Sequence, residues 1–142
     1  MVAWSETEAG QAKLKALRDN DASLTSLNAY NDMPDSTDAC FVAVAQALQN
    51  NTALTELSFC YKSAGDDAAR AVAQLLRVNK SIKNCVLSMN NFTDGAVAEV
   101  ARAMEVNASV ATLDLGAAGA GDEALKALGQ ALRSNKTLKE VR

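Results

Sequence analysis

Histidine is absent from the 142 residues, proline occurs once, and aromatic residues make up only 4% of the chain. The lack of histidine removes the commonest general base near neutral pH and the commonest transition-metal ligand. Catalysis by carboxylates or by a cysteine thiolate stays open, but this composition does not favour an enzyme. No apolar run approaches the roughly 20 residues that a membrane-spanning helix needs, so we expect no membrane partner.

The chain also lacks a strong excess of either charge. Its net charge is -3 and its pI is near 4.9, which does not favour binding to nucleic acid. The N-terminus has neither the basic start nor the apolar segment of a secretory signal. The three cysteines form an odd set at small or apolar positions, which predicts free thiols in a reducing compartment. We therefore expect a cytoplasmic protein.

What the sequence has is a repeat. Apolar residues spaced as Leu-x-x-Leu-x-Leu recur with first members 30, 28, 28 and 28 residues apart, at Leu24, Leu54, Ile82, Val110 and Leu138. A segment with helical periodicity follows each of the first four, over 38–49, 66–78, 94–106 and 122–134. Such units bury their apolar faces only by stacking. Because strands stack about 4.8 Å apart and helices about 8–10 Å apart, the stack must curve with the strands on its inner side.

The sequence therefore predicts one α/β domain over residues 1–142, a short horseshoe-shaped solenoid. A parallel sheet lies on the concave side and helices lie on the convex side. Residues 1–20 hold a capping helix and residues 21–142 about four and a half repeats. Ser5 and Glu8 have the spacing of a capping box for the first helix. Trp4 then covers the end of the stack, with a ligand-stacking role as the alternative.

Polar residues mark the joints between repeats. An aspartate opens each helical segment, which predicts that it caps its own helix. An asparagine follows each helix, which predicts a left-handed residue at the helix end. The two sets are Asp38, Asp66, Asp94 and Asp122, and Asn51, Asn79, Asn107 and Asn135.

The segment Ile82-x-x-Cys85-x-Leu87-x-x-Asn90-x-Phe92 resembles the long leucine-rich repeat of ribonuclease inhibitor. The Met33-Pro34 segment in a longer first repeat, and the Asn90-Asn91-Phe92 segment, are similar to the leucine-rich domain of tropomodulins and leiomodins. Tropomodulins cap actin pointed ends, so the second resemblance implies actin as a candidate partner. The tropomyosin-binding region and the terminal helix of that family have no counterpart in this sequence.

The concave face and its rim are the predicted binding surface for a protein partner. Side chains that alternate with the core residues face that side of the sheet, and bulky residues follow the strands. The candidates are Ser26, Asn28, Tyr30, Glu56, Ser58, Tyr61, Lys83, Asn84, Val86, Met89, Thr112 and Asp114. An alternative for the three rim residues, Tyr30, Tyr61 and Met89, is that they cover the loop edge of the core.

Three further readings follow from single features. Cys60 is the candidate nucleophile of a thiol-dependent enzyme, the least favoured function. The stacked aspartates are too far apart for a metal site, and Gly116–Gly121 lacks a phosphate-loop lysine, so we expect no metal and no cofactor. The uncovered strand from Leu138 to Val141 leaves an open sheet edge. Either the chain is a piece of a longer repeat array or two copies pair through these ends, and we predict weak self-association.

Overall fold

The computed structural model describes residues 2–142. Strand and helix alternate along the chain after an N-terminal helix, as the repeat predicts. The strands are β1 (Ser26–Asn28), β2 (Glu56–Ser58), β3 (Asn84–Val86), β4 (Thr112–Asp114) and β5 (Glu140–Val141). The helices are α1 (Glu8–Arg18), α2 (Ala29–Asp32), α3 (Asp38–Ala47), α4 (Asp66–Val78), α5 (Asp94–Ala103) and α6 (Asp122–Leu132).

The five strands form one parallel sheet in chain order. The register is that of the repeat, so the middle residues of the strands form one row across the sheet: Leu27, Leu57, Cys85, Leu113 and Val141. The first four members of this row are buried, and α3, α4, α5 and α6 pack against one another in the same order. The predicted leucine-rich-repeat fold, with its sheet and its helices on opposite sides, is confirmed.

The N-terminal end of the stack is covered as expected, but its helix begins differently. Trp4 is only 3% exposed and belongs to the core, which leaves it no ligand-stacking role. Trp4–Glu6 forms a 3-10 turn, so α1 begins at Glu8. The capping residue is Thr7, whose Oγ1 accepts a hydrogen bond of 3.0 Å from Gly10 N–H. The prediction of a Ser5 cap is therefore wrong.

The repeated asparagines are not left-handed helix ends. Asn79 has an extended backbone (φ -75°, ψ 136°), and none of the four is among the described residues with positive φ. Each Nδ2 instead donates to backbone carbonyls one repeat earlier, and each Oδ1 accepts from the N–H groups two and three residues later. This asparagine ladder comprises Asn51, Asn79, Asn107 and Asn135. The repeated asparagines are structural, as predicted, but they act through side-chain hydrogen bonds and not through a left-handed backbone.

The aspartates do not cap their own helices as predicted. Each is the first residue of its helix, and the carboxylates of Asp38, Asp66 and Asp94 accept hydrogen bonds from the start of the next helix. Asp94 accepts from Ala124, Gly121 and Glu123 N–H, and these bonds, that from Ala124 first, hold the pKa of Asp94 below its usual value. The aspartates therefore cap their neighbours, because the helix starts stack in register.

No helix within residues 2–142 combines the length and the apolar character needed to cross a bilayer.

Candidate binding surface

The concave face of the sheet carries the side chains that flank the buried central row. Alternation along each strand places Ser26 and Asn28 beside Leu27, and Glu56 and Ser58 beside Leu57. The next two strands contribute Asn84 and Val86, then Thr112 and Asp114, all four half-buried. These eight predicted residues therefore form one continuous surface.

A rim of large side chains follows the strand ends. Tyr30, Tyr61 and Met89 are 66%, 61% and 45% exposed, so they do not cover the core. The rings of Tyr30 and Tyr61 meet edge to face, with centroids 6.4 Å apart and an interplanar angle of 70°. Edge-to-face contact at this distance is a favourable aromatic geometry. Two tyrosines from different repeats therefore form a single exposed apolar unit.

The backbone of this rim is strained. Tyr61 and Met89 have φ values of 60° and 61°, and Ala117, one repeat later, has 50°. A residue other than glycine in this region costs on the order of 1–3 kcal/mol, and such residues cluster at functional sites. The parallel pairing enforces the conformation, because Tyr61 N–H donates to Ser88 O (3.3 Å) and Met89 N–H donates to Gly116 O (2.9 Å). Bulky side chains are thus retained at positions that would suit glycine.

A groove of about 440 Å³ opens beside the paired tyrosines. Beyond the strand ends it is lined by Tyr30, Cys60 and Tyr61, and on the concave face it is lined by Asn28, Ser58 and Val86. A second depression of about 380 Å³ adjoins it over the first three strands and contains Asp32, Glu56 and Asn84. The two share Asn28, Ser58 and Val86, so they form one continuous groove.

The long first repeat builds one end of this groove. The segment between β1 and α3 is two residues longer than its counterparts in the later repeats, and it begins with α2, where the Asn28 side chain accepts from Tyr30 N–H (3.0 Å). The Asp32 carboxylate in turn accepts from Asn28 N–H (2.8 Å). These two bonds fix α2 against the end of β1, which brings Tyr30 beside Tyr61. Asp32 also lines the groove. It occupies the repeat position at which the third repeat has Asn90.

The carboxylates in the groove have no cationic partner among the described residues. Neither Asp32 nor Glu56 lies within 4.0 Å of a lysine or arginine nitrogen, whereas six such pairs occur elsewhere in residues 2–142. Lys83, predicted to lie on the concave face, precedes β3 and lines neither depression. The groove is therefore locally acidic, although the charges along the whole face are mixed.

The thiols offer little chemistry. Cys85 is fully buried, and burial raises its pKa to about 12. Cys40 is buried as well. Cys60 is half-buried at the groove, with its Sγ 3.2 Å from Ser88 Oγ. No cluster of three metal-ligating side chains occurs in residues 2–142.

The structure brings most of the predicted surface together. Tyr30, Tyr61, Ser26, Asn28, Glu56, Ser58, Asn84 and Val86 line the groove, whereas Met89, Thr112 and Asp114 extend the same surface beyond it. Asn31 and Asp32 also line the groove, although neither was predicted to do so, and Cys60 was predicted only as a nucleophile. The insertion of two residues in the first repeat was the available signal for the first pair.

No protein-family model matches the sequence, and no curated protein sequence is significantly similar to it. Solved structures do match. The structure titled "Leiomodin-1 Actin-Binding Site 2 (ABS2)" has a TM-score of 0.84 and 24% identity, over 95% of this chain and 78% of that chain. The tropomodulin C-terminal domain of Caenorhabditis elegans has a TM-score of 0.82 and 20% identity, over 95% of this chain and 81% of that chain. The chain thus has the fold of the tropomodulin and leiomodin leucine-rich domains.

Proposed function

We propose that this chain is a non-catalytic protein-binding module that uses the concave face and the tyrosine rim. The observation that carries the proposal is the exposed pair Tyr30 and Tyr61 beside an open groove, with Tyr61 held in a strained backbone conformation. Tyrosine and methionine are enriched where proteins bind one another. A fold stabilised by its repeats has no internal need for such side chains at exposed, strained positions.

A non-catalytic role fits the chemistry of the surface. The chain contains no histidine, and two of its three thiols are buried. The remaining thiol, Cys60, has a serine hydroxyl as its hydrogen-bond partner and no general base. The free cysteines also support a reducing, cytoplasmic location.

Affinity capture with matched variants tests the proposal. The wild type and a Tyr30→Ala/Tyr61→Ala variant serve as baits in a native extract, and captured proteins are quantified by mass spectrometry. We expect at least one partner that the double variant loses and that Val106→Ala retains, since Val106 is equally exposed but lies after α5. If all three baits capture the same proteins, the concave face and rim are not the binding site.

Actin is the second candidate partner. The likeness to a structure named for an actin-binding site favours it, as does the 0.84 TM-score over nearly the whole chain. The test is the elongation of actin filaments from their pointed ends, combined with co-sedimentation, at micromolar concentrations of the module. Slower elongation or co-sedimentation supports actin binding. Unchanged elongation with no co-sedimentation rejects it and leaves the general binding proposal in place.

A further inference from the structure

We propose that the groove binds an extended peptide segment that carries one bulky apolar side chain and one lysine or arginine. The inference rests on the proposed function and specifies the chemistry of the partner. It follows from two properties of the groove: an apolar end and an adjoining acceptor-rich end.

The apolar end lies beyond the strand termini. Tyr30 and Tyr61, in edge-to-face contact, line it together with Cys60 and Val86, and Asn28 and Ser58 lie where it joins the other end. An aliphatic or aromatic side chain placed there removes exposed tyrosine surface from water. Burial of apolar surface is favourable. The opening at the surface allows the side chain to enter while its backbone stays outside.

The acceptor-rich end lies over the strands themselves. The carboxylates of Glu56 and Asp32 line it without a salt bridge in residues 2–142. The half-buried Asn84 adds a further polar side chain to this end. A lysine or arginine of the partner would supply the positive charge that the two carboxylates lack and would donate hydrogen bonds to them.

The two ends follow one another along the strand direction. The acceptor-rich end lies over β1, β2 and β3, and the apolar end is formed largely by the two or three residues that follow β1 and β2. Alternate side chains of an extended chain point to the same face. An extended peptide that runs along the strand direction therefore places both side chains in the groove at once.

Selection from a library of short random peptides tests this assignment. Immobilised wild-type protein is the bait, and enriched peptides are synthesised and their Kd measured by fluorescence polarisation. We expect enriched sequences to combine a bulky apolar residue with a lysine or arginine. Glu56→Lys and Tyr61→Ala should each weaken binding about tenfold or more, as loss of a central contact does.

Glu105→Lys is the matched control, because Glu105 is an exposed glutamate outside the groove, and it should bind like the wild type. Circular dichroism establishes that each variant is folded. The inference is overturned if no peptide is enriched over the empty support. It is also overturned if the enriched peptides lack the basic residue or bind Glu56→Lys as tightly as the wild type. If protein capture still depends on the tyrosines in that case, the proposed function survives and only the peptide chemistry is wrong.

Discussion

At the residue scale, the buried asparagines join each repeat to the one before it. Asn79 uses its amide group in both directions, since Nδ2 donates to Leu48 O (3.0 Å) and Asn51 O (3.1 Å) while Oδ1 accepts from the following turn. These backbone groups lie between helix and strand, where neither element pairs them. Buried polar groups of this kind must find partners, and a single side chain supplies them.

Replacing Asn79 with alanine should therefore be strongly destabilising. The change leaves the N–H groups of Ser81 and Ile82 without an acceptor, and it removes one of two donors from Leu48 O and from Asn51 O. A buried group without a partner costs about 1–3 kcal/mol, so we expect a loss of roughly 3 kcal/mol. Urea unfolding followed by circular dichroism measures it. Asn50→Ala is the control, because Asn50 is exposed, and it should change the unfolding free energy by less than about 0.5 kcal/mol. Equal stability of the two variants would show that the ladder does not stabilise the fold.

Asp94 makes part of the stability depend on pH. Its pKa is lowered in the folded state, so its stabilising contribution is complete above the ordinary value of 3.8 and is lost as pH falls through the native pKa. We expect Asp94→Asn to be less stable than the wild type at neutral pH, with a difference that shrinks below about pH 4. Urea unfolding at a series of pH values measures this.

Asp122 provides the control for that experiment. It occupies the same position in the last repeat, and within residues 2–142 no helix follows α6 for it to cap. At neutral pH, Asp122→Asn should lower the free energy of unfolding less than Asp94→Asn does. A pH-independent difference between wild type and Asp94→Asn would contradict the role assigned to this carboxylate.

These residues also show what a sequence can and cannot reveal. The periodicity identified Asp94 and Asn107 as structural, because no other function explained an identical residue in every repeat. The partners of the Asp94 carboxylate and of Asn107 Nδ2 lie 27 to 31 residues away in the chain. Local rules for helix ends supply only partners within a few residues, so both were assigned to their own helix. Only the stacking register reveals the real partners.

At the scale of elements, the fold followed from the sequence more completely than the groove did. Every predicted repeat strand and long helix is present, because apolar spacing alone determines which residues face the core. The short helix α2 was not foreseen, since its residues, Ala29–Asp32, carry no helical periodicity of useful length. That helix brings Asp32 into the groove, so the acidic end could not be predicted.

Two glycines should respond in opposite ways to alanine. Gly119 has φ 100°, and an added Cβ would lie 2.0 Å from Phe92 O, so we expect a loss of about 2 kcal/mol or more. Gly129 lies within α6, where an added Cβ meets nothing within 4 Å, so we expect a gain of about 0.5–1 kcal/mol. Thermal unfolding of both variants beside the wild type measures the signs. A Gly119→Ala variant as stable as the wild type would contradict the close approach of the loop at Gly119 to the loop at Phe92.

At the scale of the whole molecule, the two ends of the stack differ. Val97 and Ala101 of α5 and Met104 directly after it are buried. One repeat later, Leu125 and Leu132 are exposed and Gly129 faces open space. Strand β5 is exposed along the same end. The N-terminal end, by contrast, is covered by α1 and Trp4. The uncovered end therefore presents the same face that earlier repeats bury.

This asymmetry leads us to expect weak self-association through the uncovered end. Leu125→Glu/Leu132→Glu should lower the mean mass measured by sedimentation at high protein concentration, because it places charge on the apolar face. Val78→Glu is the control and should associate like the wild type. Val78 is the exposed last residue of α4, in the middle of the stack. A wild-type mass that does not change with concentration would refute the prediction.

The asparagine ladder also restricts how the length of such a chain can vary. Each rung joins an asparagine side chain to carbonyl groups 28 and 31 residues earlier in the regular repeats, so a one-residue insertion or deletion between rungs moves the amide out of register on both sides. The first repeat avoids the constraint because its two extra residues lie between β1 and α3, away from the ladder, while Asn51 still bonds to Leu17 O. Tolerated changes in length are therefore whole repeats, or insertions at the groove, where they alter the binding surface and leave the stack intact.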